Sequence, residues 1–320
     1  MHIGLITPAP PRSRAGNRAT ATRWARIFRA LGHRVAVVVN YDHEAFDLMV
    51  ALHAWRSADA IAAFRERYPQ RPLVVALTGT DLYRFLHSHP QATLRSVTLA
   101  DRLVTLHELA YRELPKGQHE KVRVILQSAQ PCARPARPGV RRFEVCVAGH
   151  LRDEKDPLRA AYAVRELPAR SRLLVRHYGR AMDEPWRKQA QDEMGRNARY
   201  RWYGEVPHWQ VRKAYLRSRL MVISSRMEGG ANVVSEAVVT GLPVVASAIP
   251  GNEGLLGSDY PGYYRLGDTE DLRTCLLRAE TQRPFYQALK QACERRQELF
   301  TPARELRAWA QLIAELSGCA

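Results

Sequence analysis

The sequence predicts an α/β protein made of two doubly wound domains, each a parallel β-sheet covered by helices. Short β-branched runs alternate with amphipathic helical stretches from one end of the 320-residue chain to the other, which is typical of such sheets. The alternation stops once, at residues 130–142, where Pro, Gly and Arg concentrate and the apolar periodicity is lost. The length of the chain also favours two domains over one.

The predicted strands fall into two sets. The first set is expected at 2–7, 34–40, 48–54, 72–78, 102–106 and 122–127, and the second at 143–149, 172–179, 200–206, 220–225 and 243–249. From about residue 269 onward the pattern is helical, and the Pro after Thr301 stands where a first helical turn tolerates it.

These elements predict the domain organisation. We expect an N-terminal Rossmann-like domain over 1–130, a linker over 131–142, a second Rossmann-like domain over 143–300, and a C-terminal helix over 301–320 that packs back toward the first domain. Ligands of open parallel sheets bind at the carboxyl ends of the strands. Two such domains facing each other would therefore bind their ligands in a central cleft.

The charge of the chain bears on its partners. The net charge is +17, but 43 of the 49 basic residues are Arg and they are scattered along the chain. A polymer of phosphates is bound by clustered basic residues, so we expect an Arg-rich solvated surface and no nucleic-acid partner.

Cysteine usage and hydropathy indicate the compartment. The five cysteines are odd in number and widely spaced, without a CxxC pair, which favours a reducing cytoplasm. The opening strand HIGLIT is too short and wrongly flanked for a secretory signal. No run approaches the roughly 18 apolar residues that span a bilayer, so we expect no stable membrane insertion. A peripheral contact through the basic N-terminal half is the alternative.

The most informative segment is SSRMEGGANVVSEAVVTGLPVVAS, residues 224–247. Its pattern predicts a strand end, a turn at Gly229 and Gly230, a helix beginning near Asn232 and a second strand. The N–H groups of a first helical turn form an anion site that suits a diphosphate. Glu228 and Glu236 bracket that turn, and carboxylates are good acceptors for sugar and ribose hydroxyls.

This segment resembles the donor-binding signature of the family-4 glycosyltransferases of the GT-B fold. In that signature two glutamates separated by seven residues flank a Gly-rich turn and are followed by a G-x-P-V-V strand. The matching residues are Glu228, Gly229, Gly230, Glu236, Gly241, Pro243, Val244 and Val245. The resemblance implies a GT-B enzyme that transfers a sugar from a nucleotide-diphosphate donor.

The resemblance also implies roles for the residues of the segment. Glu236 would hold the ribose and Glu228, as a catalytic residue, the transferred sugar. The sugar and phosphates would be bound by the backbone amides of Gly229, Gly230, Ala231, Asn232 and Val233.

A second match is VAGHLRDEKDPLRAA, residues 147–161. Family members usually have Gly-Arg here with a Lys five residues later, and the two cations neutralise the departing diphosphate. Lys155 is in place, but His150 stands at the Arg position and Arg152 follows two residues later. A fixed cation is physically required because the leaving group develops negative charge. We expect Lys155 and Arg152 to be catalytic and His150 to bind the donor, and either His150 or Arg152 to contact the β-phosphate.

The stretch YGEVP, residues 203–207, resembles the family segment that lines the base pocket. Tyr203, Gly204 and Val206 are candidates for base contacts through ring faces and backbone groups. Roles in helix packing are an equal alternative for these residues.

The opening loop TPAPPRSRAGNRATATRWAR carries Gly16 and Asn17 where the family has a glycine-containing loop that touches the diphosphate and acceptor. Four guanidinium groups surround this turn: Arg12, Arg14, Arg18 and Arg23. Guanidinium forks bind phosphate oxygens in pairs, so we expect Arg12, Arg14, Asn17 and Arg18 to bind an anionic acceptor and Gly16 the donor. The alternative is a set of arginines splayed into solvent.

The stretch ALTGTDLYR, residues 76–84, resembles the family's H-G-T-D-L segment, with Thr78 at the position of the family's His. That His normally reaches the sugar, and Asp81 is the remaining ionisable group. We expect Thr78, Thr80 and Asp81 to contact the acceptor. His53, at the end of another predicted strand, is either an acceptor contact or a structural histidine.

Metal-binding and other catalytic motifs are not evident in the sequence. It has no DxD triplet that would bridge a metal to the diphosphate, and no P-loop, GxSxG or HExxH motif. We expect neither a metal nor a cofactor, because a helix N-terminus together with cations can stabilise the same charge.

Within the family, four stretches together are similar to the selenosugar synthases of selenoneine biosynthesis: TPAPPRSRAGNRATA, TGTDLY, VILQSA and SSRMEGGANVVSEA. This similarity implies transfer from a UDP-sugar, such as UDP-N-acetylglucosamine, to selenophosphate to give a 1-selenosugar. One alternative is a family-4 enzyme that acts on a sugar or lipid hydroxyl. The other is a non-catalytic binder of nucleotide sugars or nucleic acid.

Overall fold

A computed structural model of the chain describes residues 1–13, 15–132 and 137–318. The strands are β1 (His2–Ile6), β2 (Arg34–Val38), β3 (Leu48–Leu52), β4 (Leu73–Leu77), β5 (Arg102–Thr105), β6 (Val122–Val124), β7 (Phe143–Ala148), β8 (Leu173–Tyr178), β9 (Tyr200–Trp202), β10 (Leu220–Ile223), β11 (Val244–Ser247) and β12 (Tyr263–Tyr264). The α-helices are α1 (Gly16–Ala30), α2 (Ala58–Arg67), α3 (Leu86–Ser88), α4 (Pro90–Leu99), α5 (Arg159–Ala163), α6 (Glu184–Arg196), α7 (His208–Arg217), α8 (Asn232–Thr240), α9 (Pro250–Leu256), α10 (Thr269–Thr281), α11 (Arg283–Arg296) and α12 (Pro302–Ser317).

The strands form two parallel sheets. The first has the order β2-β1-β3-β4-β5-β6 and the second the order β12-β11-β10-β7-β8-β9. The chain reverses its direction of travel across each sheet, between β1 and β3 in the first and between β7 and β10 in the second. This architecture confirms the predicted fold class. Each predicted strand range contains an observed strand, while the two-residue β12 was not predicted.

The chain divides into two compact units. Among the described residues, unit 1 comprises Met1–Gln127, Glu228–Gly230 and the segment from Pro302 onward, and unit 2 comprises Ser128–Met227 and Ala231–Thr301. Residues 133–136 of the predicted linker lie outside the described part of the chain. The domain boundaries proposed from the sequence stay a prediction.

Helix α12 belongs to unit 1, where it packs on α1. The Trp309 ring meets those of Trp24 and Phe28 edge-on, with centroid distances of 4.6 and 4.8 Å. The side chain of Glu305 is fully buried and accepts hydrogen bonds from Trp24 Nε1 at 2.8 Å and Arg23 Nε at 3.2 Å. A buried carboxylate is tolerated only when it is paired in this way.

In unit 2 the central strands are buried on both faces. β10 and β11 consist entirely of buried residues, as expected for strands of a parallel sheet between two helical layers. Within the described residues, none of the helices combines the length and the apolar character that a membrane crossing requires.

Candidate active site

In unit 2 the loops that follow β7 and β10 flank the point where the strand order reverses, which is where open α/β sheets bind ligands. Hydrogen bonds hold these two loops together. Ser224 Oγ donates to the carbonyl oxygens of Lys155 at 3.1 Å and Asp156 at 2.9 Å. The Arg226 amide donates to the Glu154 carbonyl at 2.8 Å. The loop after β7, which carries His150, Arg152 and Lys155 and is called the cation loop below, therefore lies beside the segment that leads to α8, the helix predicted to bind an anion.

His150 contributes a neutral hydrogen-bond donor to this loop. Its Nδ1 accepts from the Arg180 amide at 3.1 Å, so Nε2 carries the proton of the neutral ring. Burial lowers the pKa of His150, and the neighbouring Arg152 and Lys155 lower it further. The positive charge of the loop at neutral pH therefore comes from Arg152 and Lys155. Of the two residues that the sequence offers for the β-phosphate contact, His150 and Arg152, only Arg152 carries a charge.

Arg152 retains donor capacity. Its Nε is buried and has no hydrogen-bond partner within the described chain, and it lies 3.8 Å from Glu154 Oε2. The whole side chain is 41% exposed, so a ligand can reach its guanidinium. An anion at the β7 edge would satisfy the buried N–H.

His177 is a positioning residue that the sequence reasoning missed. Its Nε2 bonds to the Gly149 carbonyl at 2.9 Å, and its Nδ1 bonds to the Tyr200 hydroxyl at 3.0 Å. Burial lowers the pKa of His177 to about 4, so the ring is neutral and fixes the start of the cation loop. The strand alternation marks His177 only as an inward-facing residue of β8.

The N-terminus of α8 has the features of an anion site. Ala231 precedes the helix without providing a side-chain cap, and the first turn contains no acidic residue. The positive end of the helix dipole is therefore not offset by a carboxylate of that turn. The structure begins this helix at Asn232, as the sequence predicts.

Glu236 lies in the same helix, and each of its carboxylate oxygens has a protein partner. Oε1 lies 2.8 Å from His208 Nε2, and Oε2 accepts from the Tyr215 hydroxyl at 3.0 Å. Burial raises the pKa of Tyr215, so its hydroxyl remains a donor. Sequence reasoning missed both partners. His208 and Tyr215 are seven residues apart on α7, and residues at that spacing lie on the same face of a helix, which is the signal that could have paired them.

The predicted base-pocket segment follows β9. The rings of Tyr203 and Tyr178 stack with a centroid distance of 5.0 Å and an interplanar angle of 12°, and Tyr203 is 44% exposed. Gly204 has φ +67° and its carbonyl accepts from the Gly179 amide at 2.8 Å. The segment thus presents an aromatic face beside a backbone turn that favours glycine.

In unit 1 the Glu228–Gly230 segment packs closely against Gly79 and Leu106. A Cβ on Gly229 would lie 2.3 Å from the Gly79 nitrogen, and one on Gly230 would lie 2.3 Å from Leu106 Cβ. Both glycines are therefore required by close packing, in addition to the turn that the sequence predicts. Glu228 is 8% exposed.

Asp81 has a structural role. Its buried carboxylate accepts hydrogen bonds from the backbone amides of Ala54, Thr78, Gly79 and Leu82 over 2.8–3.1 Å. The carboxylate is fully occupied in holding the β4 loop, which favours a structural role over the acceptor contact predicted from the sequence.

His53 is structural for the same reason. It is 1% exposed, its Nδ1 accepts from the Arg56 amide at 3.2 Å, and its Nε2 bonds to Thr80 Oγ1 at 3.0 Å. Burial lowers the pKa of His53. Thr80 is thereby engaged, while Thr78 is half-buried at the same edge.

The loop after β1 leads into α1, whose first residue is the exposed Gly16. Arg18, in the first turn, has a buried Nη1 with no hydrogen-bond partner in the described part of the chain, and Arg12 is exposed with φ +66°. Asn17 is half-buried beside them, and Arg14 lies outside the described residues. α1 has no acidic residue in its first turn and no side-chain cap, so this end of the helix also favours an anion.

Arg23 is used internally, in contrast to its predicted place among the loop arginines. It pairs with Glu305, and its Nη2 donates to Gln127 Oε1 at 2.7 Å.

Over residues 1–13, 15–132 and 137–318, no group of three or more His, Cys, Asp and Glu side chains is arranged to hold a metal ion.

No curated protein matches the chain in sequence. Residues 136–294 match the family described as Glycosyl transferases group 1. Among solved structures, sucrose-phosphate synthase from Thermosynechococcus elongatus aligns over 100% of both chains with a TM-score of 0.80 and 15% identity. Anabaena HepE in complex with UDP aligns over 98% of this chain and 99% of its own, with a TM-score of 0.78 and 16% identity. The HepE complex with UDP-glucose gives a TM-score of 0.78 and 16% identity over 98% of this chain and 100% of that one. The chain therefore has the GT-B fold, and its residues 136–294, which include the cation loop and α8, are similar to the group 1 glycosyltransferases.

Proposed function

We propose that the protein transfers a sugar from a UDP-sugar bound at the strand-order reversal of unit 2. The observation that carries this proposal is the set of bonds from Ser224 and Arg226, which brings Arg152 and Lys155 beside the segment leading to the uncapped N-terminus of α8. Two cations and a helix N-terminus suit a diphosphate. HepE, with the same fold, has been solved with UDP and with UDP-glucose.

The donor would be held by groups of distinct chemistry. Glu236 binds the ribose, the amides at the start of α8 bind the phosphates, and Lys155 with Arg152 stabilises the charge that develops on the leaving UDP. His150 adds a neutral N–H, and the Tyr203 face and Gly204 receive the base. Glu228 binds hydroxyls of the transferred sugar.

For the acceptor we propose selenophosphate. A hydroxyl acceptor usually needs a general base, whereas an anionic selenium nucleophile does not. Three buried titratable side chains at the β3–β5 edge of unit 1 are engaged internally: Asp81, His53, and His107, whose Nε2 lies 2.9 Å from the Tyr83 hydroxyl. Burial lowers the pKa of His107 to about 4. Because these three side chains are engaged, they are not available as a general base, and this favours an acceptor that is already an anion.

The proposed reaction is balanced without an oxidant or reductant. Selenium forms a bond to the anomeric carbon while the bond from that carbon to the UDP oxygen breaks with its electron pair. Water then cleaves the Se–P bond, releasing phosphate and the 1-selenosugar.

Arg18 and Arg12 support this acceptor because their guanidinium groups can offset the charge of the phosphoryl oxygens. We expect Arg18→Ala to raise the KM for selenophosphate about tenfold, the loss of one charge-assisted hydrogen bond, with little change in UDP affinity. Arg26→Ala is the matched control, since Arg26 is an exposed arginine of the same helix.

The test is product analysis by mass spectrometry. The full chain is incubated with UDP-N-acetylglucosamine and selenophosphate, and then with neutral sugar and lipid hydroxyl acceptors in place of selenophosphate. Formation of a 1-selenosugar, UDP and phosphate supports the whole proposal. Efficient glycosylation of a hydroxyl without selenosugar formation would refute selenophosphate as the acceptor, and only the proposal of a transferase that uses a UDP-sugar would remain. Binding of UDP-sugars without turnover would assign the chain to non-catalytic binders.

A further inference from the structure

The carboxylate of Glu236 has two partners that differ in mobility. Tyr215 is fully buried within α7, so its hydroxyl is fixed against Oε2. His208 is the first residue of α7, and its side chain is 62% exposed although it lies 2.8 Å from Oε1. An exposed imidazole at a helix end can rotate into water at little cost, whereas the buried phenol cannot.

A ribose presents two neighbouring hydroxyl donors to the carboxylate that binds it. In this structure one oxygen of Glu236 is occupied by an internal phenol and the other by the exposed histidine. We expect the diol to compete with His208 for Oε1, the oxygen whose partner can leave.

We propose that His208 occupies the ribose-binding oxygen of Glu236 in the donor-free protein and must release it when the nucleotide binds, so that His208 limits donor affinity. This inference rests on the proposed donor site. It makes His208 a competitor of the ribose for Glu236 that does not itself contact the nucleotide.

The charges around His208 come from several elements. Glu236 faces it from α8, and its hydrogen bond raises the pKa of His208 above 6.5, while Arg212 of α7 opposes this. Besides His208, the titratable and charged groups on α7 and on the elements packed against it are Glu236 of α8, Arg212, Lys213, Tyr215 and Arg217 of α7, and Glu144 and Cys146 of β7.

The pairing predicts how donor affinity depends on pH. Below its raised pKa, His208 is an imidazolium, and its bond to Glu236 joins two opposite charges. Above that pKa the neutral ring still donates, but more weakly. The competition, and hence the loss of UDP affinity, therefore grows as the pH falls through the pKa of His208.

The experiment compares UDP binding by the wild type and His208→Ala using calorimetry at pH 6.0 and 8.5. Comparing the two proteins at the same pH removes the titration of the UDP phosphate from the result. We expect His208→Ala to bind UDP about fivefold more tightly at pH 6.0 and within about twofold of the wild type at pH 8.5. 2′,3′-Dideoxy-UDP lacks the diol, so the substitution should leave its affinity unchanged at both pH values.

His87→Ala is the matched control. His87 is 66% exposed and lies 3.9 Å from a carboxylate, that of Glu113, in unit 1. Equal UDP affinity of the wild type and His208→Ala at pH 6.0 would overturn the inference, and weaker binding by the variant would do so too, because it would make His208 a contact of the nucleotide. If neither protein binds UDP at all, the proposed donor site fails and the inference fails with it.

Discussion

The carboxyl ends of the two sheets use their titratable side chains in opposite ways. In unit 1, Asp81 and His53 are buried and each polar atom of the side chain is bound to a group of the same unit. In unit 2, Arg152 keeps a buried N–H without a hydrogen-bond partner in the described chain, and Glu236 is held partly by an exposed histidine. Asp81 and His53 of unit 1 therefore fix loops, while Arg152 and Glu236 of unit 2 are polar groups that a ligand can take over.

The largest expected effect tests the structural side of this comparison. Asp81→Ala should lower the free energy of unfolding by about 3–5 kcal/mol, because four backbone donors would lose a buried charged partner. Urea unfolding followed by tryptophan fluorescence measures it. Asp59→Ala, at the exposed first turn of α2, is the control and should cost less than about 1 kcal/mol. Equal losses of unfolding free energy for the two substitutions would contradict the role of Asp81 in fixing the loops of unit 1.

The second prediction tests the functional side. Lys155→Ala should lower kcat about 100- to 1000-fold, or about 2.7–4 kcal/mol, because the contact proposed between Lys155 and the leaving diphosphate would strengthen in the transition state. The KM for the donor should change much less, as measured by steady-state kinetics. Lys188→Ala, an exposed lysine of α6 in the same unit, should retain activity. An effect confined to KM would make Lys155 a ground-state binding residue.

A smaller effect is expected at Glu236. Glu236→Ala should weaken UDP binding by about 1.5–3 kcal/mol, through loss of the charge-assisted bonds that we propose between Glu236 and the ribose. Calorimetry at pH 8.5, where competition from His208 is weakest, gives the cleanest value. Glu294→Ala removes an exposed carboxylate of α11 in the same unit and should bind UDP as the wild type does. UDP affinity unchanged by Glu236→Ala would contradict the ribose assignment.

The sequence predicted the fold because parallel strands are buried on both faces and give near-continuous apolar runs, as in β10 and β11. It also located the start of α8, since a Gly-rich turn before an apolar helix is a local signal. The partners of Glu236 were not predicted. His208 and Tyr215 lie 28 and 21 residues from it along the chain, and only the packing of α7 on α8 brings them together.

The same limit explains Asp81 and His53. Their residue types and their places after strands are those of acceptor contacts, and nothing local in the sequence shows that backbone amides from two loops occupy the Asp81 carboxylate. A buried structural carboxylate and a catalytic one have the same sequence signature. They differ in how many internal donors reach them, which is a tertiary property.

The smallest expected effect concerns metal removal, and it separates two ways of stabilising the leaving diphosphate. If the uncapped α8 N-terminus, Arg152 and Lys155 carry that charge, excess EDTA should leave the initial rate unchanged. Rates are measured for the wild type with the UDP-sugar at saturation, before and after chelation, and again after adding Mg²⁺ or Mn²⁺. Lys155→Ala sharpens the test, because a divalent ion added to this variant should restore little activity if the amine acts at a position that a free ion does not occupy. Loss of activity in EDTA with recovery on adding either ion would mean that a metal carries the charge assigned here to unit 2, and the contrast between the two sheet edges would then need a bound cation to complete it.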